Sequence, residues 1–253
     1  MTDILESFDF LHWACLLAIV ATGGFMRGFS GFGTTLVMVP LLNLLMPPSE
    51  AVFLALSIDV LVMIPVLPKA AQQAKWKPII PLLIGALIAI PMGAWVLVVA
   101  SSETLRIIIS TLVLTSACLL LSGWTYRGKK TKSLSFMVGI FSGIANGATG
   151  IGGPPIAAYF IAKKMPPVVL RASFNVLAFI MEGVSVIVIY SVGSFDIRNT
   201  INMFILAPLM LIFLWFGSLT FRLVDNKLFN KLILYFLITF GVYTLILTIY
   251  KMQ

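Results

Sequence analysis

The residues that could do chemistry in this chain sit in two glycine runs and at two isolated acids. The first run, Gly24-Phe-Met-Arg-Gly-Phe-Ser-Gly-Phe-Gly, carries Arg27 and Ser30. The second, Gly143-Ile-Ala-Asn-Gly-Ala-Thr-Gly-Ile-Gly-Gly, carries Asn146 and Thr149. Glycine has no Cβ, so the amides of Gly28, Gly31, Gly33, Gly147, Gly150, Gly152 and Gly153 can come close to a ligand. Helices that start just after such a break aim partial positive charge at the same spot. Ser30, Asn146 and Thr149 can donate to oxygens. Arg27 either presents a planar guanidinium to a paired oxygen group or snorkels to a membrane surface. The ligand expected from this set is an anion. Asp59 and Glu182 each lie in the middle of an apolar segment, where ionisable groups are costly and a functional role is the default reading. They could pair with Arg27 or carry a coupled proton. The alternative is a structural acid bonded to Ser57 or Ser185. Asn175, Ala178 and Glu182 share a helical face, with Ser173 nearby, so Asn175 joins the expected substrate-binding set.

The two runs are copies. Moving 119 positions from Gly24 reaches Gly143, and the same step takes Gly28, Gly31 and Gly33 to Gly147, Gly150 and Gly152, Arg27 to Asn146, and Met46-Pro47-Pro48 to Met165-Pro166-Pro167. Further along, Gly93 corresponds to Gly217 at an offset of 124. A single G-x-x-x-G, as at Gly24/Gly28, commonly marks close helix packing. Two matched runs, each followed by a turn and a new helix, favour a site.

The elements that must position these residues are membrane helices. Of the 253 residues, 60% are hydrophobic and 10% charged, against roughly a quarter charged in a soluble domain. Apolar stretches of spanning length recur. The expected spans are Leu11 to the Arg27-Gly28 break, Thr35–Met46, Ser49–Leu67, Ile79–Val99 and Thr104–Ser122, then Leu134–Asn146, Ile156–Ala162, Leu170–Val192, Ile197–Phe221 and Leu228–Tyr250. The fold class is an all-α polytopic membrane protein of two repeats, residues 1–125 and 133–253, joined by a basic linker at 126–132. Each repeat is a glycine-rich broken helical hairpin followed by three transmembrane helices.

Charge orients the repeats. If each glycine unit returns to the side it entered from, three crossings follow and the second repeat is inverted. Twelve loop basic residues then share one side, against Arg106, Arg198 and Lys251 on the other. If each unit is one broken span, the division falls to nine against six. The positive-inside bias selects the hairpins. It places the basic loops, Arg171 among them, in the cytoplasm and both termini outside.

The net charge of +8 belongs to these loops and does not suggest nucleic-acid binding. Cys15 and Cys118 lie in apolar spans and read as buried thiols. His12, the sole histidine, reads as interfacial. There is no Walker loop, no metal-ligand spacing and no serine with a histidine partner, so no cofactor, metal or catalytic residue is expected, and no enzyme activity. The N-terminus lacks a basic n-region, so the first apolar segment does not read as a cleaved signal peptide.

Gly28-Phe-Ser-Gly-Phe-Gly with Val39-Pro40-Leu41-Leu42, and Gly147-Ala-Thr-Gly-Ile-Gly-Gly-Pro154, resemble the paired signatures of the sulfite exporter TauE/SafE family of membrane permeases. The resemblance covers essentially the whole chain. The first motif departs from the usual form at Thr34-Thr35. The resemblance implies a prokaryotic cytoplasmic-membrane transporter for sulfite, organosulfonates or related organic anions, with export the expected direction. A passive anion channel is the alternative, and an integral-membrane enzyme a remoter one.

Overall fold

The computed structural model describes residues 10–31, 33–122, 126, 128, 131–193 and 197–220, with scattered residues from 235 to 250. Among the described residues there are ten helices and no strand. They are α1 (Phe10–Ser30), α2 (Thr34–Leu42), α3 (Pro48–Met63), α4 (Leu67–Gln73), α5 (Trp76–Val99), α6 (Ser102–Leu121), α7 (Lys132–Thr149), α8 (Gly153–Ala162), α9 (Pro167–Val192) and α10 (Ile197–Thr220). Five of them are long and apolar enough to cross a bilayer, and α3 with α4 adds a sixth if that bent pair is one span. The last expected span, Leu228–Tyr250, lies for the most part outside the described residues, as do Phe32 and the side chain of Ser30.

Local sequence explains where the helices begin and end. Ser101 caps α6 by accepting from the Thr104 amide at 3.3 Å, and Thr131 caps α7 by accepting from the Leu134 amide at 3.2 Å. Each satisfies an amide that the first turn leaves without a partner. Pro47 and Pro166 precede α3 and α9 with nearly the same backbone, φ −55° and ψ 144° against φ −54° and ψ 141°. The expected span Ser49–Leu67 takes in α3 and the start of α4, and the two helices are bent by 75° at the break between them. Pro65 cannot donate to the carbonyl of Leu61, and Pro68 sits comfortably in the first turn of the next helix.

The glycine breaks are narrower than their sequence runs. α1 continues through Arg27 and Gly28, and α7 through Asn146 and Gly147. The chain turns only at Gly31–Gly33 and Gly150–Gly152. Gly31 (φ 79°) and Gly150 (φ 71°), equivalent in the repeat, both adopt the left-handed conformation that glycine enters without strain. The helices that follow, α2 and α8, have 9 and 10 residues, about 14–15 Å at 1.5 Å per residue. That is half a bilayer, and both are mostly buried within the protein, as irregular backbone at membrane depth requires.

The earlier glycines of each run pack helices together. A Cβ on Gly28 would lie 1.9 Å from the carbonyl oxygen of Leu214 and 2.9 Å from the Ser218 amide. A Cβ on Gly147 would lie 2.4 Å from the oxygen of Ile90 and 2.8 Å from the Ala94 amide. Leu214 and Ser218 are the 124-offset equivalents of Ile90 and Ala94. The contacts are also reciprocal: Gly217 meets Phe25 and Phe29, and Gly93 meets Ile144 and Ala148, again equivalent pairs. Thus α1 packs on α10, and α7 packs on α5. Two large apolar clusters, and a small third around Ala70, Ala172 and Val176, fill the interior among the described residues. One is built on α2, α3 and α6 around Met38, Leu54 and Ile109, the other on α5, α8 and α9 around Ile90, Phe160 and Met181. The outward face of α5 is apolar, with Ile80, Ile84, Ile88, Met92 and Trp95 exposed.

Candidate functional site

The two turns meet at one cavity. Its walls include Arg27 from α1, Gly33, Thr35 and Leu36 from the first turn and α2, Asn146 from α7, Gly150 to Pro154 from the second turn and α8, and Phe174, Ala178, Met181 and Glu182 from α9. Its volume is about 20 Å³, room for one water-sized group. The N-termini of α2 and α8 both open onto it, so the helix dipoles lend it positive potential from two directions, with amide donors in the first turn of α2 but only Gly153 ahead of Pro154 and Pro155 in α8.

Arg27 is the cation of the site. It is 3% exposed, and its Nη1 lies 3.1 Å from Oδ2 of the fully buried Asp59 on α3. Its Nε and Nη2 are buried without a hydrogen-bond partner among the described residues. Glu182 approaches from α9 and interacts electrostatically with both Asp59 and Arg27. Its Oε2 is likewise buried without a hydrogen bond. One guanidinium therefore faces two carboxyl groups, one on α3 and one on α9, in the wall of the cavity.

The other expected site residues divide. Gly33, Asn146, Gly150, Gly152 and Gly153 line the cavity with Arg27 and Glu182. Asn146 also donates from Nδ2 to Ser185 Oγ at 2.8 Å, which occupies the serine suggested as a partner for the acids. Gly28 and Gly147 face neighbouring helices rather than the cavity. The Thr149 hydroxyl is spent within the turn: it donates to Ala145 O at 2.7 Å and accepts from the Ile151 amide at 3.2 Å. Asn175 is buried on α9 outside the cavity wall.

Arg171 is the residue that sequence reasoning misplaced. Assigned to a basic loop, it lies on α9, where its Nη2 donates to Gly28 O at 2.5 Å. Its side chain fills the space that a Cβ on Gly31 would need, and its charge repels that of Arg27 across the tip. Spacing held the signal: Arg171, Asn175, Ala178 and Glu182 follow i, i+4, i+7 and i+11, one helical face.

The family described as "Sulfite exporter TauE/SafE" matches residues 15–244. The chain belongs to the TauE/SafE family. A curated relative, the "Probable sulfite/organosulfonate exporter TauE" of Cupriavidus necator, is 24% identical over 207 residues, covering 78% of this chain and 79% of its own length. No solved structure matches the chain. Both glycine turns and all the charged groups of the cavity fall within the matched residues, so this TauE/SafE chain carries its candidate site inside the family region. Among the described residues no cluster of metal ligands occurs.

Proposed function

We propose that this chain is a secondary transporter that exports sulfite, an organosulfonate or a related small organic anion across the cytoplasmic membrane. The observation that carries the reading is the Arg27 guanidinium, buried at the cavity with Nε and Nη2 unbonded. Those two groups form the fork that binds a sulfite or sulfonate oxygen pair side by side. The α2 N-terminus adds amide donors, and α8, with prolines at 154 and 155, adds chiefly the Gly153 amide and its dipole. Gly33 leaves open space where a side chain would project.

The charge balance suggests how transport is coupled. An anion seated on Nε and Nη2 shares the single charge of Arg27 with Asp59, which stays on Nη1. A carboxylate that loses part of its buried counter-charge is destabilised, and taking up a proton relieves it. The Asp59 and Glu182 pair would then hold one proton for each anion bound, so net flux follows the combined proton and anion gradients and export requires the anion to be more concentrated inside. The cavity is smaller than a sulfonate, so loading requires the surrounding helices to move, in keeping with alternating access around the site. The reciprocal helix exchange between repeats, with α1 on α10 and α7 on α5, supports residues 1–125 and 133–253 as two repeats inverted about the 126–132 linker. It provides two matched interfaces on which they can rock. In this reading the linker is cytoplasmic and both termini lie outside.

Flux into proteoliposomes tests the function, with sulfite, sulfoacetate, taurine, thiosulfate and lactate each assayed with and without a pH gradient. The proposal expects saturable flux of at least one sulfur oxyanion and accelerated exchange when that anion is preloaded. Flux without saturation or counterflow would favour a channel. Absence of flux for the whole panel would remove the substrate class.

A further inference from the structure

A second charged feature lies apart from the cavity. The N-termini of α5 and α7 and the turn from α8 to α9 enclose a cleft of about 550 Å³. Five lysines line it: Lys75, Lys77, Lys132, Lys163 and Lys164, with no carboxylate in the wall. Among the described residues none of the five forms an ion pair. Lys163 is held in place, its Nζ 5.1 Å from the centre of the Tyr159 ring. The Tyr159 hydroxyl in turn bonds Ser135 Oγ at the cleft floor. Lys164 has φ 51°, a left-handed position just past a helix end where glycine is the usual occupant. The chain thus keeps a cation where backbone geometry favours glycine. α5, of 24 residues, and α7, of 18, add two positive helix ends at the same mouth.

The cleft opens onto the apolar outer surface. Trp76, in its wall, is 44% exposed, and Ile80 and Ile84 continue one and two turns further along the same face of α5 at 49% each. A ligand seated among the lysines can therefore lay a hydrocarbon tail along α5. Basic pockets between membrane helices at the interface bind anionic headgroups. We propose that this cleft binds the phosphate of an anionic phospholipid headgroup, with an acyl chain along Trp76, Ile80 and Ile84. The site is separate from the transport cavity and independent of its reading.

The test titrates delipidated full-length protein in detergent with tail-labelled phosphatidylglycerol or phosphatidylcholine. Wild type is expected to bind phosphatidylglycerol saturably and at least about ten-fold more tightly than phosphatidylcholine, a small part of what several interfacial lysines can supply. Combining Lys75→Gln, Lys77→Gln, Lys163→Gln and Lys164→Gln should reduce phosphatidylglycerol to the phosphatidylcholine level, while the four arginine replacements keep the preference. Lys163→Gln with Lys164→Gln alone should give a partial loss, which keeps the test intact if the fourfold variant does not fold. Equal binding of the two lipids by wild type, or unchanged binding in the glutamine variants, would overturn the proposal. So would displacement of phosphatidylglycerol by millimolar inorganic phosphate, which would assign the cleft to a soluble anion.

Discussion

Arg27 is held to Asp59 through one nitrogen, and the nitrogens left over are the groups proposed to bind the anion. Removing the cation alone has a predictable penalty, because Asp59 stays buried without a partner. Arg27→Gln should lower stability by about 3–5 kcal/mol, the range for breaking a buried pair on one side. Adding Asp59→Asn should recover most of that without restoring flux. Thermal melting in detergent, read beside transport, separates the two effects. A double variant no more stable than Arg27→Gln alone would mean that the ion pair does not organise the fold locally. For coupling, Asp59→Asn and Glu182→Gln should each abolish acceleration of flux by a pH gradient, and gradient-driven flux at the wild-type rate in both would exclude them as proton carriers. Much of this candidate site could be read from residue type and depth: a cation in a glycine run and two mid-span acids are expensive and rarely accidental. What could not be read was allocation. Thr149 is a good donor by type, but its hydroxyl is consumed by Ala145 and the Ile151 amide, a matter of local turn geometry. Arg171 looked like a loop charge because the count of basic residues ignores which helical face a residue occupies.

At the scale of elements, the glycines of each run do two different jobs. The first two allow backbone contact between helices, and the later ones turn the chain at the cavity. Gly28→Ala and Gly147→Ala should each lower the folded yield, by similar amounts, because both would drive a methyl group into a carbonyl oxygen on the opposite helix. Overpacking of this kind typically costs about 1–3 kcal/mol. Gly33→Ala meets no neighbour within 4 Å and suffers only from its φ of 94°, about 1–2 kcal/mol for a left-handed residue. Gly33→Ala should therefore remain monodisperse by fluorescence-detected size exclusion under conditions where Gly28→Ala aggregates. The reverse order would contradict the division. The sequence could show that the two runs match, but not where each job ends, since spacing of four glycines serves both packing and turning. The bend after α3 was likewise hidden by uniform hydrophobicity, although Pro65 and Pro68 mark it.

At the scale of the molecule, the 119-residue and 124-residue offsets reappear as physical contacts, with Gly28 on Leu214 and Gly147 on Ile90. The sequence match between the two halves was legible because matching helix junctions carry the same residues, Pro-Pro at the starts of α3 and α9 and glycine at positions 31 and 150. The pairing of α1 with α10, and of α7 with α5, was not legible, because repeat arithmetic does not say which copies touch. Inversion makes its own prediction. Single cysteines at Ser101 before α6 and at Lys164 after α8, in an otherwise cysteine-free chain, should be labelled by an impermeant maleimide from opposite sides of the membrane, whereas a non-inverted pair of broken spans would put both on one side. Labelling from the same side would rule out the proposed crossing pattern. The central claim is that a small anion binds Arg27 between the two glycine turns. Sulfite counterflow in proteoliposomes tests it most directly, comparing wild type with Arg27→Gln/Asp59→Asn at matched folded amounts. Saturable counterflow in wild type and none in the folded double variant is the predicted result; equal counterflow in both would contradict it.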